Sequence, residues 1–228
     1  MITDMVIKKL SAALLLSFFF MTPPVYADGV KENSSDTIAI QGEPDRTDIE
    51  KNKNILRFAV HVSKMGTLDP HFAAGSQDRT AADMIFNGLL RYVPGNAPAI
   101  EPDLASGMPV LTAQNGSQVW TVKLKKGVMF HPGPGFQSYE MTADDVVFSF
   151  SKASDPETSA YAGDYEGMSV NKRDKYTVEF VLKHPLSPIL FFPKISNYNG
   201  GFIVSRKATE KMGYAAAANH PIGTGPFM

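Results

Sequence analysis

The chain of 228 residues carries 22 Lys and Arg residues against 23 Asp and Glu residues, which gives a formal net charge of −1. Because the charges are interspersed and no basic run alternates with aromatic residues, the composition argues against nucleic-acid binding and against an anionic membrane surface as a partner. Cysteine is absent, which excludes a lipoprotein anchor, structural disulfides and any Cys-ligated metal site.

The first 54 residues divide into two segments by composition. Residues 1–27 have the pattern of a secretory signal peptide: two lysines precede the apolar run 10–21, and small residues before the junction predict cleavage after Ala27. That run is too short to cross a bilayer core of about 30 Å as a helix, and an uncleaved anchor is the alternative. The polar segment 28–54 is predicted to be a flexible extension. A bacterial periplasmic location is therefore expected.

The body of the chain, residues 55–228, alternates strand and helix signals, which predicts a mixed α and β fold. Alternating apolar residues predict a strand over 55–62. After a Leu-Asp-Pro loop, apolar residues that share one helical face predict a helix over 78–87, which a glycine ends. A strand over 89–93 then leads into a Pro-Gly-Asn turn.

Residues 120–135 combine a strand signal with two turn signals. Apolar residues alternate with polar ones from Trp120 onward, which predicts a half-buried strand that follows an Asn-Gly hairpin turn. A Lys-Gly pair then predicts a tight turn before a second short strand over 128–130. Two prolines and two glycines make residues 131–135 a loop.

The next helix has an explicit start signal. Thr142 stands at the N-cap position, and Asp145 follows three residues later in the capping-box position. Met141 and Val146 have the spacing of a hydrophobic staple around that cap. An Asp-Pro pair predicts the end of the helix before residue 156.

The last third of the chain begins with a predicted irregular loop over 154–167. Strict apolar alternation then predicts a strand over 176–183, and an apolar run predicts a short helix over 186–195. A strand is predicted over 202–204, followed by a short helix that Ser205 caps and a glycine closes. The final Gly-Thr-Gly-Pro segment is typical of a loop that feeds a new strand, so the chain is expected to be a truncated protein.

No residue set indicates catalysis. The histidines show neither the two-ligand helical spacing of a zinc site nor an acidic companion set; they are His61, His71, His131, His184 and His220. Asp144 and Asp145 are neighbours on a helix and face different directions, and stabilisation of the helix start accounts for both. A Gly-x-Ser-x-Gly elbow is also absent from the sequence. The chain is therefore predicted not to be an enzyme and to need no metal or other cofactor.

Five sequence blocks occur in an order that resembles one protein family. The blocks are Leu-Asp-Pro-His-Phe at 68–72, Ile-Phe-Asn-Gly-Leu-Leu at 85–90, Glu-Pro-Asp-Leu-Ala at 101–105, the strand, loop and capped helix over 126–149, and His-Pro-Ile-Gly-Thr-Gly-Pro-Phe at 220–227. Together they resemble the dipeptide- and oligopeptide-binding branch of the family 5 extracytoplasmic solute-binding proteins of ABC importers. The chain departs from the family pattern after Ala105, where Gly107 and Met108 replace the usual tryptophan.

The resemblance implies a fold of the type II periplasmic binding proteins. Members have two α/β lobes joined by a hinge, with a smaller domain inserted in the first lobe, and they close around the solute. This chain would supply an incomplete first lobe with the small inserted domain, without the second lobe. The implied function is peptide capture for an ABC importer: the peptide is held partly as an added strand, and the permease subunits recognise the closed form. The implied partners are a peptide or other small solute and those permease subunits, and a monomer is expected.

The resemblance also places candidate ligand-binding residues. The loop after the Leu-Asp-Pro block matches the cleft-facing loop of the family, which makes Ala73, Ala74, Gly75 and Ser76 candidates. Independently of the resemblance, Tyr161 and Tyr165 of the 154–167 loop are also candidates. Loops often carry binding groups, but a plain surface loop before a helix would give the same pattern.

Three alternatives stay open from the sequence. The solute could be nickel or another small molecule rather than a peptide. The chain could instead be a secreted hydrolase, which the missing nucleophile and acid–base sets disfavour. The third alternative is that the fragment is not a stable functional protein.

Because the family builds half of the cleft from the second lobe, we expect weak or absent peptide binding by the 228-residue chain.

Overall fold

The computed structural model describes residues 65–96, 98–114 and 117–227. The predicted signal peptide, the extension and the strand over 55–62 lie outside these residues. In the described part of the chain, helices and strands are mixed, which confirms the predicted fold class. No helix within it is both long and apolar enough to span a bilayer.

Along the described part of the chain, one helix is followed by six strands, a second helix, two further strands and three short helices. The helices are α1 (Ser76–Ile85), α2 (Ala143–Ala153), α3 (Pro188–Phe191), α4 (Arg206–Met212) and α5 (Tyr214–Asn219). The strands are β1 (Leu90–Tyr92), β2 (Ile100–Pro102), β3 (Val110–Gln114), β4 (Ser117–Lys123), β5 (Met129–Phe130), β6 (Tyr139–Glu140), β7 (Met168–Asp174) and β8 (Thr177–Leu182). Single 3₁₀ turns cover Ala162–Tyr165, Phe192–Ile195 and Asn199–Gly201.

The main sheet has the antiparallel order β3-β4-β8-β7, and β1-β2 and β5-β6 form separate two-stranded ribbons. Alternation along β8 predicted its burial: Val178, Phe180 and Leu182 face the core. Helix α2 covers that face, where the Phe150 ring lies 4.9 Å from the Phe180 ring, edge to face. Trp120 of β4 stacks on the Phe191 ring at 5.0 Å. Aromatic burial between sheet and helices therefore forms the main core.

The start of α2 has the predicted cap. The Asp145 carboxylate accepts a hydrogen bond from the Thr142 backbone N–H at 3.0 Å, which is the acidic half of a capping box. It also accepts the Tyr139 hydroxyl at 2.6 Å. Met141 and Val146, the predicted staple pair, are both fully buried. The helix start is thus fixed by local sequence and tied to β6 by a tyrosine.

Two predicted strands have a different role in the structure. Residues 129–130 pair with β6 rather than with β4, so the turn at Gly127 joins two different sheets. The Gly127 backbone N–H donates to the Glu140 carboxylate at 2.8 Å. The strand predicted over 202–204 is wrong: the segment makes one isolated bridge, between Phe202 and Gly88. It is buried between helices, and the Val204 N–H donates to the Ser149 hydroxyl at 2.9 Å instead of to a strand.

The glycine-rich segment near residue 225 docks against the end of α1. The Gly225 N–H donates to the Ile85 carbonyl at 2.9 Å, and the Thr224 hydroxyl donates to the Asn87 side chain at 2.8 Å. A Cβ atom at Gly223 would collide with the Ile85 carbonyl. The segment requires glycine there because two backbones approach closely.

Candidate functional site

A buried ion pair fixes the loop that precedes α1. Lys152 Nζ, at the end of α2, donates to the two Asp69 carboxylate oxygens at 3.0 and 2.9 Å and to the Thr158 carbonyl at 2.9 Å. The Lys152 and Asp69 side chains are only 4% and 10% exposed. Burial lowers the pKa of Lys152, and the charge of Asp69 opposes that change. The pair joins two segments that are 83 residues apart.

His71 is the second anchor of this loop. The His71 backbone N–H donates to Asp69 Oδ1 at 2.9 Å, and the His71 backbone carbonyl accepts the Ala160 N–H at 3.0 Å. The ring Nε2 lies 3.0 Å from the Phe202 carbonyl. The ring is fully buried, and Nδ1 has no hydrogen-bond partner among the described residues. Burial, with a smaller contribution from Lys152, lowers the pKa of His71 to about 4. His71 therefore acts as a neutral structural residue that donates from Nε2.

We expect the protein to lose stability as the pH falls from 6.5 toward 4, with His71 as one cause. The folded-state pKa of about 4 lies below the ordinary value of 6.5, so in this window the unfolded chain binds a proton that the folded chain does not. Stability is thus complete above pH 6.5 and decreases through the window. Urea unfolding at about pH 7 and pH 4.5 should show a loss of about 2 kcal/mol from this group.

The His71→Gln variant provides the control for that measurement. Its side-chain amide can donate to the Phe202 carbonyl as the imidazole does, but it has no titratable group. The difference in unfolding free energy between the two pH values should be smaller in the variant by about 2 kcal/mol. The same pH dependence in both proteins would rule out His71 as a contributor.

The candidate residues 73–76 follow these anchors and lead into α1. Ala73 is buried, whereas Ala74 and Ser76 are exposed and Gly75 occupies the N-cap position. The Ala73 carbonyl accepts the Tyr161 hydroxyl at 2.6 Å. The structure therefore brings one of the two candidate tyrosines to the candidate loop, although 88 residues separate them.

The other candidate tyrosine lies in the core. Tyr165 is 2% exposed, and its ring packs edge to face against Phe150 at 5.7 Å. Its hydroxyl donates to the Lys194 carbonyl at 2.9 Å, and burial raises the pKa of the phenol well above its ordinary value. The ring of Tyr165 therefore has almost no surface available to a solute.

Two residues beside the loop were not singled out from the sequence. Arg79 Nε donates to the Ala73 carbonyl at 3.3 Å, and the guanidinium lies over the Tyr198 ring, 5.2 Å from its centroid. Tyr198 is 42% exposed and meets Tyr92 edge to face at 6.2 Å. Nothing in the local sequence distinguishes Arg79 from any helix-surface arginine, so only the fold could identify it.

One small cavity adjoins the ion pair that anchors this loop. This cavity, next to Lys152, holds about 20 Å³, enough for a single water molecule. Open grooves of about 460 and 670 Å³ lie elsewhere and do not include residues 73–76 or Tyr161. No group of three or more acidic, His or Cys side chains that could hold a metal occurs within the described residues. Ala74 and Ser76 are exposed, so this stretch of the loop lies on the surface.

Comparisons with known proteins agree on one family. Residues 99–228 match the model of the bacterial extracellular solute-binding proteins, family 5. Di/tripeptide-binding protein 2 of Pseudomonas aeruginosa is 32% identical over 79% of this chain and 36% of its own length. The chain therefore spans about a third of that relative.

Solved structures of the same kind share the fold. The A. tumefaciens binding protein MoaA, in complex with mannopinic acid, has 40% sequence identity and a TM-score of 0.63 over 72% of this chain and 32% of MoaA. The Helicobacter pylori periplasmic binding protein DppA, in complex with the peptide STSA, has 26% identity and a TM-score of 0.58 over 71% of this chain and 34% of DppA.

Proposed function

The chain belongs to the family 5 bacterial extracellular solute-binding proteins, and from that membership we propose that it contributes one wall of the solute-binding cleft of an ABC importer. The observation that carries the proposal is the family match over residues 99–228. The proposed solutes are di- and tripeptides, which the name of the Pseudomonas aeruginosa relative supports. The proposed macromolecular partner is the importer's permease, the protein is proposed to be a monomer, and no catalysis is proposed.

The proposed contact residues are 73–76 and Tyr161. Residues 74 and 76 are exposed, so they can contact a solute that lies against the loop. The Tyr161 hydroxyl donates to the Ala73 carbonyl at 2.6 Å, and the Asp69–Lys152 ion pair holds the start of the loop in place. A rigid loop binds at lower entropic cost than a mobile one.

A second candidate solute is a small organic acid. The solved binding protein with 40% identity to this chain is in complex with mannopinic acid, and this identity exceeds the 26% of the peptide complex. Mannopinic acid is therefore included in the binding test beside the peptides.

Binding is tested by NMR titration of the isotope-labelled chain with di- and tripeptides, with mannopinic acid and with nickel. NMR detects weak association, so the test suits a chain that spans a third of its relatives. We expect peptide-dependent shifts at residues 73–76 and none at the turn between β7 and β8. Peptide-dependent shifts confined to residues outside 73–76 and Tyr161, or hydrolysis of the peptides, would contradict the proposal, and tight peptide binding would contradict the weak or absent binding expected of this chain.

Two tyrosine variants test whether the loop 73–76 contacts the peptide. Tyr161→Phe removes the hydroxyl that fixes Ala73 and should weaken peptide binding about 3- to 10-fold, since a neutral hydrogen bond contributes about 0.5–1.5 kcal/mol. Tyr176→Phe removes a hydroxyl that donates to Glu140 and should leave binding unchanged. Equal effects of the two variants would argue against the 73–76 loop as the site.

A further inference from the structure

Three lysines lie together at the end of β4 and in the turn that follows it. Lys123, Lys125 and Lys126 are all exposed. Among the described residues, none of the three has a carboxylate within 4.0 Å, whereas Lys175 nearby is paired with Glu140 at 2.9 Å. A local excess of positive charge therefore occurs on the surface of a chain whose net charge is −1.

Two of these lysines follow the period of an extended strand. Lys123 and Lys125 are exposed, whereas Leu124 between them is only 4% exposed and makes an isolated antiparallel bridge to Ala105. Side chains two residues apart on an extended chain leave the same face, about 6.6 Å apart. An extended partner chain with a charged residue at every second position can therefore match this spacing.

The three lysines line an open groove of about 670 Å³. The lining also includes Val128 and Tyr176, which are both half-buried. Lys126 Nζ lies 5.3 Å from the centroid of the Tyr176 ring, and such a contact orients an ammonium group without cancelling its charge. The groove thus combines positive charge with apolar surface.

The acids close to the groove have other partners. Asp174, the acidic residue of the lining, accepts the Tyr176 backbone N–H at 2.8 Å. Asp103 accepts the Asn87 side-chain amide at 2.8 Å. Burial raises the pKa of Asp103, and that hydrogen bond and the charge of Lys125 oppose the change. Neither carboxylate forms an ion pair with the lysines within the described residues, so the groove keeps its positive charge.

We propose that this groove docks an acidic segment of a partner protein, whose carboxylates at alternate positions of an extended chain meet Lys123 and Lys125. Charge complementarity selects such a segment, because a positive patch steers and orients a negative one. The apolar surface of Val128 and Tyr176 favours a protein segment over a small anion, since protein interfaces combine apolar contact with a polar rim. The groove includes none of residues 73–76, so the inference does not depend on the proposed function.

Two capped pentapeptides test the inference because they differ only in charge: acetyl-Glu-Ala-Glu-Ala-Glu-amide and acetyl-Gln-Ala-Gln-Ala-Gln-amide. In NMR titrations of the isotope-labelled chain at about 20 mM salt, the glutamate peptide should shift the signals of residues 123–128 and 174–177. It should bind about tenfold more tightly than the glutamine peptide, which corresponds to about 1.4 kcal/mol. Because exposed ion pairs are screened, about 0.5 M salt should remove most of this difference.

Double lysine variants assign the charges that cause the preference. The combined variant Lys123→Gln and Lys125→Gln should abolish the preference for the glutamate peptide. The matched control, Lys183→Gln with Lys207→Gln, removes the same charge from two exposed lysines outside the groove. Within the described residues these two also form no ion pair. The control should keep the preference.

Each other outcome overturns the inference. Equal affinity of the wild-type chain for the two peptides, or equal losses in the two double variants, would show that the groove lysines do not recognise carboxylates. Shifts confined to residues 73–76 would place the glutamate peptide at the proposed solute site instead. Groove shifts with tripolyphosphate or phosphatidylglycerol vesicles at about 0.15 M salt, without shifts from the glutamate peptide, would assign the groove to phosphate groups or a membrane surface.

Discussion

Replacing Lys152 with methionine is expected to destabilise the folded chain by about 3–5 kcal/mol, the range measured when one member of a buried ion pair is removed. The variant leaves the Asp69 carboxylate buried without its cation, since the Lys152 side chain supplies both of the hydrogen bonds that join the pair. It also removes the bond to the Thr158 carbonyl. Urea unfolding near pH 7 measures the loss.

An exposed ion pair provides the control. Lys172 pairs with Asp144 at 2.9 Å, but their side chains are 43% and 45% exposed, so Lys172→Met should cost less than about 1 kcal/mol. Adding Asp69→Asn to Lys152→Met removes the unpaired charge and should recover part of the stability. Equal losses of unfolding free energy in Lys152→Met and Lys172→Met would show that burial of the Asp69–Lys152 pair has no energetic consequence.

Replacing Phe180 with alanine is expected to cost about 3–5 kcal/mol, the usual range for truncation of a buried phenylalanine. The ring is fully buried on the central strand β8. Its ring centroid lies 4.9 Å from that of Phe150 in α2 and 5.6 Å from that of Phe191 in α3. Truncation would leave a cavity between the sheet and two helices that packed neighbours fill only partly.

The matched control for this truncation lies two residues before Phe191. Ile189 is also an apolar residue of α3, but it is 78% exposed, so Ile189→Ala should change the unfolding free energy by less than about 0.5 kcal/mol. Thermal or urea unfolding compares the two variants. A loss at Phe180 no larger than the loss at Ile189 would contradict the assignment of this aromatic cluster as the main core.

Local sequence patterns predicted the elements whose signals lie within a few residues. The cap of α2 depends on two side chains three positions apart, and β8 shows strict alternation, so both were predicted close to their observed bounds. The Ser205 cap of α4 is equally local, since its hydroxyl accepts the Ala208 N–H at 3.1 Å. Such features follow from backbone geometry and hydrogen bonding within one turn or one strand.

Elements without a local signal could not be predicted. Strand β7, Met168–Asp174, is mostly exposed, and its apolar alternation is limited to Met168 and Val170; its pairing with β8 makes it a strand. Residues 202–204 show the reverse case, because an apolar run predicted a strand but the segment forms only one isolated bridge, between Phe202 and Gly88.

The sequence by itself determined the α and β class, the capped helix, the alternating strand and, through the resemblance, the family and the candidate loop 73–76. Only the tertiary structure decided which distant side chains meet that loop. It placed Lys152 on Asp69, 83 residues away, and the Tyr161 hydroxyl on Ala73, 88 residues away. It also buried Tyr165 and placed Arg79 over the Tyr198 ring. Contacts across such separations leave no periodic trace in the sequence, because chain folding rather than local geometry brings them together.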